Sequence, residues 1–137
     1  MHFVSGGAFQ GKRKWVCDYY QLNEKVWYRW CNGYKGDYFF PEEEMENVVV
    51  FEGMEALIWR LPDREHWAMF FQSWHQWEQN KPGRNVVWIG CDITQGIVPL
   101  TEEERNWRDV TGWCYQELTS RCSRVDRLWC GLAERIK

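Results

Sequence analysis

Missing from this chain is any run of residues long and apolar enough to span a bilayer, so no membrane partner is expected. Missing too is a C-x-x-C pair: the six cysteines stand at positions 17, 31, 91, 114, 122 and 130, with no histidine at ligand spacing. That argues against a zinc site and a dithiol redox centre and leaves reduced thiols, as in a cytoplasmic protein. There is no basic excess either, since 17 Lys and Arg face 20 Asp and Glu for a net charge of −3. Such a balance does not suit a protein whose main work is gripping nucleic acid, and any anion site must be local. The start Met1-His2-Phe3-Val4 leads straight into an expected strand, which leaves no room for a charged leader and an apolar signal core. Internal repeats and low-complexity segments are absent.

What is present is aromatic. Eleven tryptophans are scattered through every segment rather than interleaved with a basic cluster, a distribution that fits core and rim packing and not a single-strand binding groove. The length of 137 residues predicts one domain, 1–137, that buries about two-thirds of the surface of its unfolded chain.

The stretch Gly6-Gly7-Ala8-Phe9-Gln10-Gly11-Lys12 spells G-x-x-x-x-G-K, after the apolar Phe3-Val4 and before a segment of helical periodicity. Strand, glycine-rich turn and helix in that order are what a phosphate-binding loop requires. Glycines bring backbone N–H groups close to an anion, and the helix that follows points its positive end there. Lys12 is expected to reach the β and γ phosphates of a nucleotide. Arg13 stands where such loops place a Ser or Thr that binds Mg²⁺. An arginine pairs with phosphate and cannot ligate a cation, so nucleotide binding is better supported than metal-assisted transfer.

Further along, Trp15, Tyr19 and Leu22 are spaced as one face of a helix. Lys25–Trp30 reads as a second strand, followed by turns at Asn32-Gly33 and Gly36-Asp37 and an aromatic loop, Tyr38–Pro41. Glu42, Glu43, Glu44 and Glu46 form a solvated acidic run. Asn47–Gly53 is a continuous β-branched run with the character of a central parallel strand. Met54–Trp59 predicts a helix, and Trp67, Phe70, Phe71, Trp74 and Trp77 stripe another after Pro62-Asp63, as core or subunit interface. Asn85–Asp92 repeats the buried strand, Gly96–Pro99 is its exit loop, and Thr101–Glu104 caps a long helix. Arg127–Leu132 reads as a short final strand before a basic tail. The alternation predicts an α/β fold, a mostly parallel sheet with helices on both faces.

Glu52 and Asp92 end the two buried strands. A carboxylate there either caps the next helix or faces the ligand crevice; in the second case one orients Mg²⁺, a role that falls to Glu52, and the other positions or deprotonates an accepting hydroxyl. His66 and His75 are expected at the surface or rim, and Arg105, Arg108 and Asp109 in intrahelical pairs, with a phosphate contact open to Arg108.

Three segments together resemble a known family. They are Val4-Ser5-Gly6-Gly7-Ala8-(x)2-Gly11-Lys12; Val86-Val87-Trp88-Ile89-(x)2-Asp92-(x)3-Gly96-Ile97-Val98-Pro99; and Arg105-(x)-Trp107-Arg108-Asp109-(x)2-Gly112-(x)3-Gln116-(x)-Leu118, with Asp126–Trp129 as the last strand. The ordered set resembles the bifunctional adenosylcobinamide kinase / adenosylcobinamide-phosphate guanylyltransferase family of cobalamin synthesis. The resemblance implies a P-loop NTPase-like three-layer sandwich that binds GTP or ATP and phosphorylates adenosylcobinamide, then transfers GMP through a guanylyl-histidine, in an oligomer. By position, Gly6, Gly7, Gly11 and Lys12 would cradle the triphosphate within the loop that also holds Ala8, Phe9, Gln10 and Arg13. Glu52 and Asp92 would supply the strand-end acids, making Lys12, Glu52 and Asp92 the catalytic candidates.

The chain also departs from that pattern. No histidine lies between Lys25 and Phe51, where the family carries the guanylylated residue, and Trp113 and Tyr115 replace an expected Arg and Asn. The guanylyltransferase half is therefore expected to be lost, and Arg13 weakens the expectation of Mg²⁺. Besides a small NTP-dependent kinase, the sequence fits a non-catalytic nucleotide-binding homologue acting as sensor or partner subunit. A third reading is an α/β domain whose loop is empty.

Overall fold

The computed structural model describes residues 1–22 and 27–137. In chain order the elements are β1 (His2–Gly6), α1 (Lys12–Tyr19), β2 (Tyr28–Asn32), β3 (Val48–Glu52), α2 (Met54–Arg60), α3 (Arg64–Gln79), β4 (Asn85–Ile89), α4 (Glu102–Arg121), β5 (Arg124–Trp129) and β6 (Leu132–Arg135). The strands form one six-stranded sheet in the order β2-β3-β4-β1-β5-β6. Every neighbouring pair is parallel except β5 with β6.

Alternation along the central strands sorts their side chains to two faces. Phe3, Val49, Phe51, Val86 and Trp88 share a core with the apolar sides of α2, α3 and α4, whereas Val4, Val50, Val87 and Ile89 pack with Val16 of α1 and with Leu22. Both faces of β1, β3 and β4 are thus covered, the reason those strands read as unbroken apolar runs. The fold is α/β with helices on both faces. The thicker layer is built on aromatic contacts: Phe51 stacks on Trp88 with ring centroids 4.6 Å apart, and Phe70, Phe71 and Trp74 meet these rings edge-on.

The connections decide where a ligand can sit. From β1 the chain leaves through α1 on one face toward β2, and from β4 it leaves through α4 on the other face toward β5. β1 and β4 are neighbours whose exits diverge, so a crevice opens at their C-terminal ends. Backbone hydrogen bonds past the strand ends hold its floor: Gly90 N donates to Val4 O at 3.1 Å, Gly53 N to Ile89 O at 3.0 Å, and Asp92 N to Gly6 O at 3.0 Å.

Several expectations need correction. α1 ends at Tyr19 and buries Val16, not a Trp15–Tyr19–Leu22 stripe; Trp15 and Tyr19 stack on each other at 5.0 Å, and Leu22 is buried only after the chain turns back, its N–H donating to Cys17 O. The second strand runs Tyr28–Asn32, and Lys25 and Val26 lie outside the described residues. The last strand is a hairpin: β5 and β6 pair antiparallel through Cys130 and Gly131, whose φ values of 49° and 79° make the tight turn that two-residue hairpins favour. Arg105 and Arg108 make no intrahelical pair. Arg105 donates to Pro99 O and Leu100 O and Arg108 to Thr94 O, tying the 92–100 loop to α4. No helix among the described residues is long and apolar enough to cross a membrane.

Candidate functional site

The loop 7–11 leaves β1 at Gly6, whose φ is 149°; a Cβ there would stand 2.5 Å from Leu128 O on the adjacent β5, so only glycine lets the two backbones pass. Gly11 caps α1 with no side-chain hydrogen bond, leaving the first N–H groups of that helix without a side-chain partner among the described residues. From the other side the hairpin braces the loop: Gly131 N donates to Gln10 O at 3.1 Å, and Cys130 N donates to Gln10 Oε1. Ala8 and Phe9 form the outer rim, Phe9 fully exposed at a φ of 57°.

Lys12 is buried, and its ammonium donates to Gly6 O at 3.0 Å and Gly7 O at 2.6 Å. Two of its three donors thus hold the charge inside the curl of the loop. A cleft of about 1030 Å³ opens directly over it. Loop residues Ala8 to Lys14 form one wall, with Glu52, Glu55 and Cys91 at the base and Trp59, Ile93 and Trp107 opposite. The indoles of Trp59 and Trp107 meet edge-on at 5.1 Å, and Trp107 is fixed by its N–H donating to Glu55 O.

Glu52, Asp92 and Glu55 differ in what they hold; Glu104 lines the cleft as well, its carboxylate accepting from Thr101 Oγ1. Glu52 does not cap α2; its Oε2 accepts from Arg13 Nη1 at 3.1 Å and from Trp30 Nε1 at 2.9 Å, while the Arg13 guanidinium lies 4.8 Å over the Trp30 ring. Asp92 does not line the cleft: its N–H donates to Gly6 O, and its side chain turns into its own loop, where Oδ1 accepts from Thr94 N and Thr94 Oγ1. The third carboxylate, Glu55, has no counterpart in the sequence-based candidates. It is buried, accepts from Tyr34 Oη at 2.7 Å and from Cys91 N at 2.8 Å, and lines the cleft; Tyr115 Oη lies 3.3 Å from it and shares its one proton between Glu55 and the nearer Cys91 O at 3.1 Å. No cation contacts it among the described residues. Burial raises the Tyr34 hydroxyl above its ordinary range, and its bond to Glu55 adds to this; burial and the nearby Glu55 charge do the same to Tyr115. Both phenols therefore stay protonated and donate. Burial also raises the Cys91 thiol, against an opposing effect of Lys12, so Cys91 is no nucleophile near neutral pH.

Mg²⁺ would need oxygen ligands with few competitors. The position beside Lys12 carries a guanidinium, and that guanidinium is bonded to Glu52. Among the described residues no three of His, Cys, Asp and Glu converge as a metal site. The side chains present do not fit a protein-held Mg²⁺.

His66 and His75 lie on α3, part-buried and away from the cleft. His2 sits at the opposite end of the sheet, its Nδ1 2.8 Å from Tyr20 Oη and its Nε2 2.7 Å from Asp126 Oδ2. Burial lowers its pKa to about 4 despite the Asp126 contact, and Asp126, pushed up by its own burial, ends below its ordinary value through its bonds from Arg124 and His2. With His2 neutral, Nε2–H donates to Asp126 and Nδ1 accepts from Tyr20.

No family model matches the chain. One stretch of 56 residues, 41% of the chain, is 36% identical to the bifunctional adenosylcobalamin biosynthesis protein CobP of Pseudomonas aeruginosa. That stretch spans 32% of the length of CobP, so the chain's similarity to this relative is partial.

Proposed function

We propose that residues 1–137 form a single P-loop domain that binds the triphosphate of GTP or ATP, with adenosylcobinamide or a related small molecule as acceptor of the γ-phosphoryl group. The observation that carries this reading is the position of Lys12, its ammonium held by Gly6 O and Gly7 O beneath an open cleft. There the loop residues from Ala8 and the first turn of α1 line the same volume, an arrangement that concentrates positive potential where phosphates would lie. Positioning and charge neutralisation are most of what phosphoryl transfer requires of a protein.

Glu55, rather than Asp92, is the carboxylate offered to an acceptor hydroxyl, since it borders the cleft while Asp92 turns to Thr94. Trp59 and Trp107 give the acceptor an apolar wall. The similarity to CobP, a cobalamin biosynthesis protein, supports a role on a cobinamide-type substrate. Guanylyl transfer through histidine is not part of the proposal, because none of the three histidines lines the cleft.

The Arg13–Glu52 pair favours a second reading, a nucleotide-binding homologue without turnover that acts as sensor or partner subunit. Incubation of the protein with GTP or ATP and adenosylcobinamide, beside a Lys12→Ala variant, separates the two. Cobinamide-dependent release of nucleoside diphosphate, abolished in the variant, is the expected result; nucleotide binding without release supports the second reading.

A further inference from the structure

We propose that Arg13 takes the place of a divalent cation, so that the cleft binds nucleoside triphosphate free of metal. The inference rests on the nucleotide-binding reading and adds the chemical form of the ligand. Arg13 follows Lys12 directly in the first turn of α1 and lines the cleft. Its guanidinium is anchored on one side only, by Nη1 donating to Glu52 Oε2 at 3.1 Å and by the Trp30 face 4.8 Å away. Its side chain remains 63% exposed, so the other donors of the guanidinium are open to a ligand. Trp30 is itself fixed, its indole N–H bonded to the same carboxylate oxygen at 2.9 Å. Glu52, Arg13 and Trp30 thus present an anchored, planar cation beside the carbonyl-held ammonium of Lys12.

Guanidinium and phosphate match as two parallel N–H···O bonds, and an arginine neutralises phosphate charge without needing water or carboxylate ligands. A magnesium ion brought in on the triphosphate would meet this fixed positive charge at the position where other loops offer it a hydroxyl. It would also find Glu52 already neutralised. Metal complexation should therefore remove charge from the ligand that Arg13 is placed to use, and weaken binding.

Calorimetric titration of the intact protein with ATP and GTP, once in EDTA and once in excess Mg²⁺, tests this. Binding in EDTA at least as tight as in Mg²⁺ is expected. Arg13→Ala should weaken the metal-free titration about 10- to 100-fold, and Arg13→Ser, which restores a hydroxyl, should make binding tighter with Mg²⁺ than without. Because Arg13 is a surface residue on an intact helix, circular dichroism of both variants should match the parent. Binding that requires Mg²⁺ in the parent overturns the inference and leaves the nucleotide site standing. Absence of binding in both buffers overturns the two together.

Discussion

Lys12 differs from a surface lysine in having its charge held by two carbonyls at the base of a cleft. Replacing it by Met, which keeps the stem and removes the charge, is expected to weaken nucleotide binding at least about tenfold, read by titration. Glu55 answers to a different measurement. Glu55→Ala leaves the buried Cys91 N–H and the Tyr34 hydroxyl without their acceptor, while Tyr115 Oη keeps Cys91 O at 3.1 Å, and should cost about 2–4 kcal/mol in denaturant unfolding. Glu55→Gln should cost less, because its oxygen can still face Cys91 N while Tyr34 Oη accepts from its amide. His2 gives the pH dependence. Its folded pKa of about 4 lies below the ordinary 6.5, so the unfolded chain binds the extra proton between those values. Stability should then be full above about pH 6.5 and fall as pH drops toward 4, by at most about 3 kcal/mol from this group. Asp126, also lowered in the folded state, loses stability in the same direction on further acidification. Urea midpoints between pH 7 and pH 4 should show the fall, and a His2→Asn variant a flatter profile. Neither Glu55 nor His2 was legible as a site in the sequence. A first-turn glutamate among apolar residues reads as a favourable helix-dipole charge, and the partners of both groups come from segments up to 124 residues away.

α3 was legible almost residue for residue, because Trp67, Phe70, Phe71, Trp74 and Trp77 repeat at helical spacing and all five are buried. Trp74→Ala, which empties a site between Phe51 and Phe70, is expected to cost about 3–5 kcal/mol in chemical unfolding. The Thr101 cap of α4 was legible too, with Glu104 N donating to Thr101 Oγ1. α1 was legible as a helix but not in the face it buries, since its aromatic residues outnumber the one valine that meets the sheet. The β5–β6 hairpin carried a weak signal, a glycine in the second place of a two-residue turn, and its effect on the loop could not be read from the chain. Gly131→Val forces a β-branched residue to a φ of 79° and should lower the melting temperature by about 3–8 °C. By releasing Gln10 it should also weaken nucleotide binding.

Across the whole molecule, the order β2-β3-β4-β1-β5-β6 brings three widely separated segments to one crevice: the loop after β1, Glu52 and Glu55 around the end of β3, and Cys91 beyond β4. The buried strands and the glycine-lysine loop were legible because both follow from local pattern. The pairing of Arg13 with Glu52 was not, since each fits its own motif position and only the sheet order makes them neighbours. The most direct test is a crystal structure with a non-hydrolysable GTP or ATP analogue. The account predicts β and γ phosphate oxygens within hydrogen-bond distance of Lys12 Nζ and of the 7–12 backbone amides. A nucleotide seated elsewhere, with the Lys12 ammonium still facing an empty loop, would contradict it.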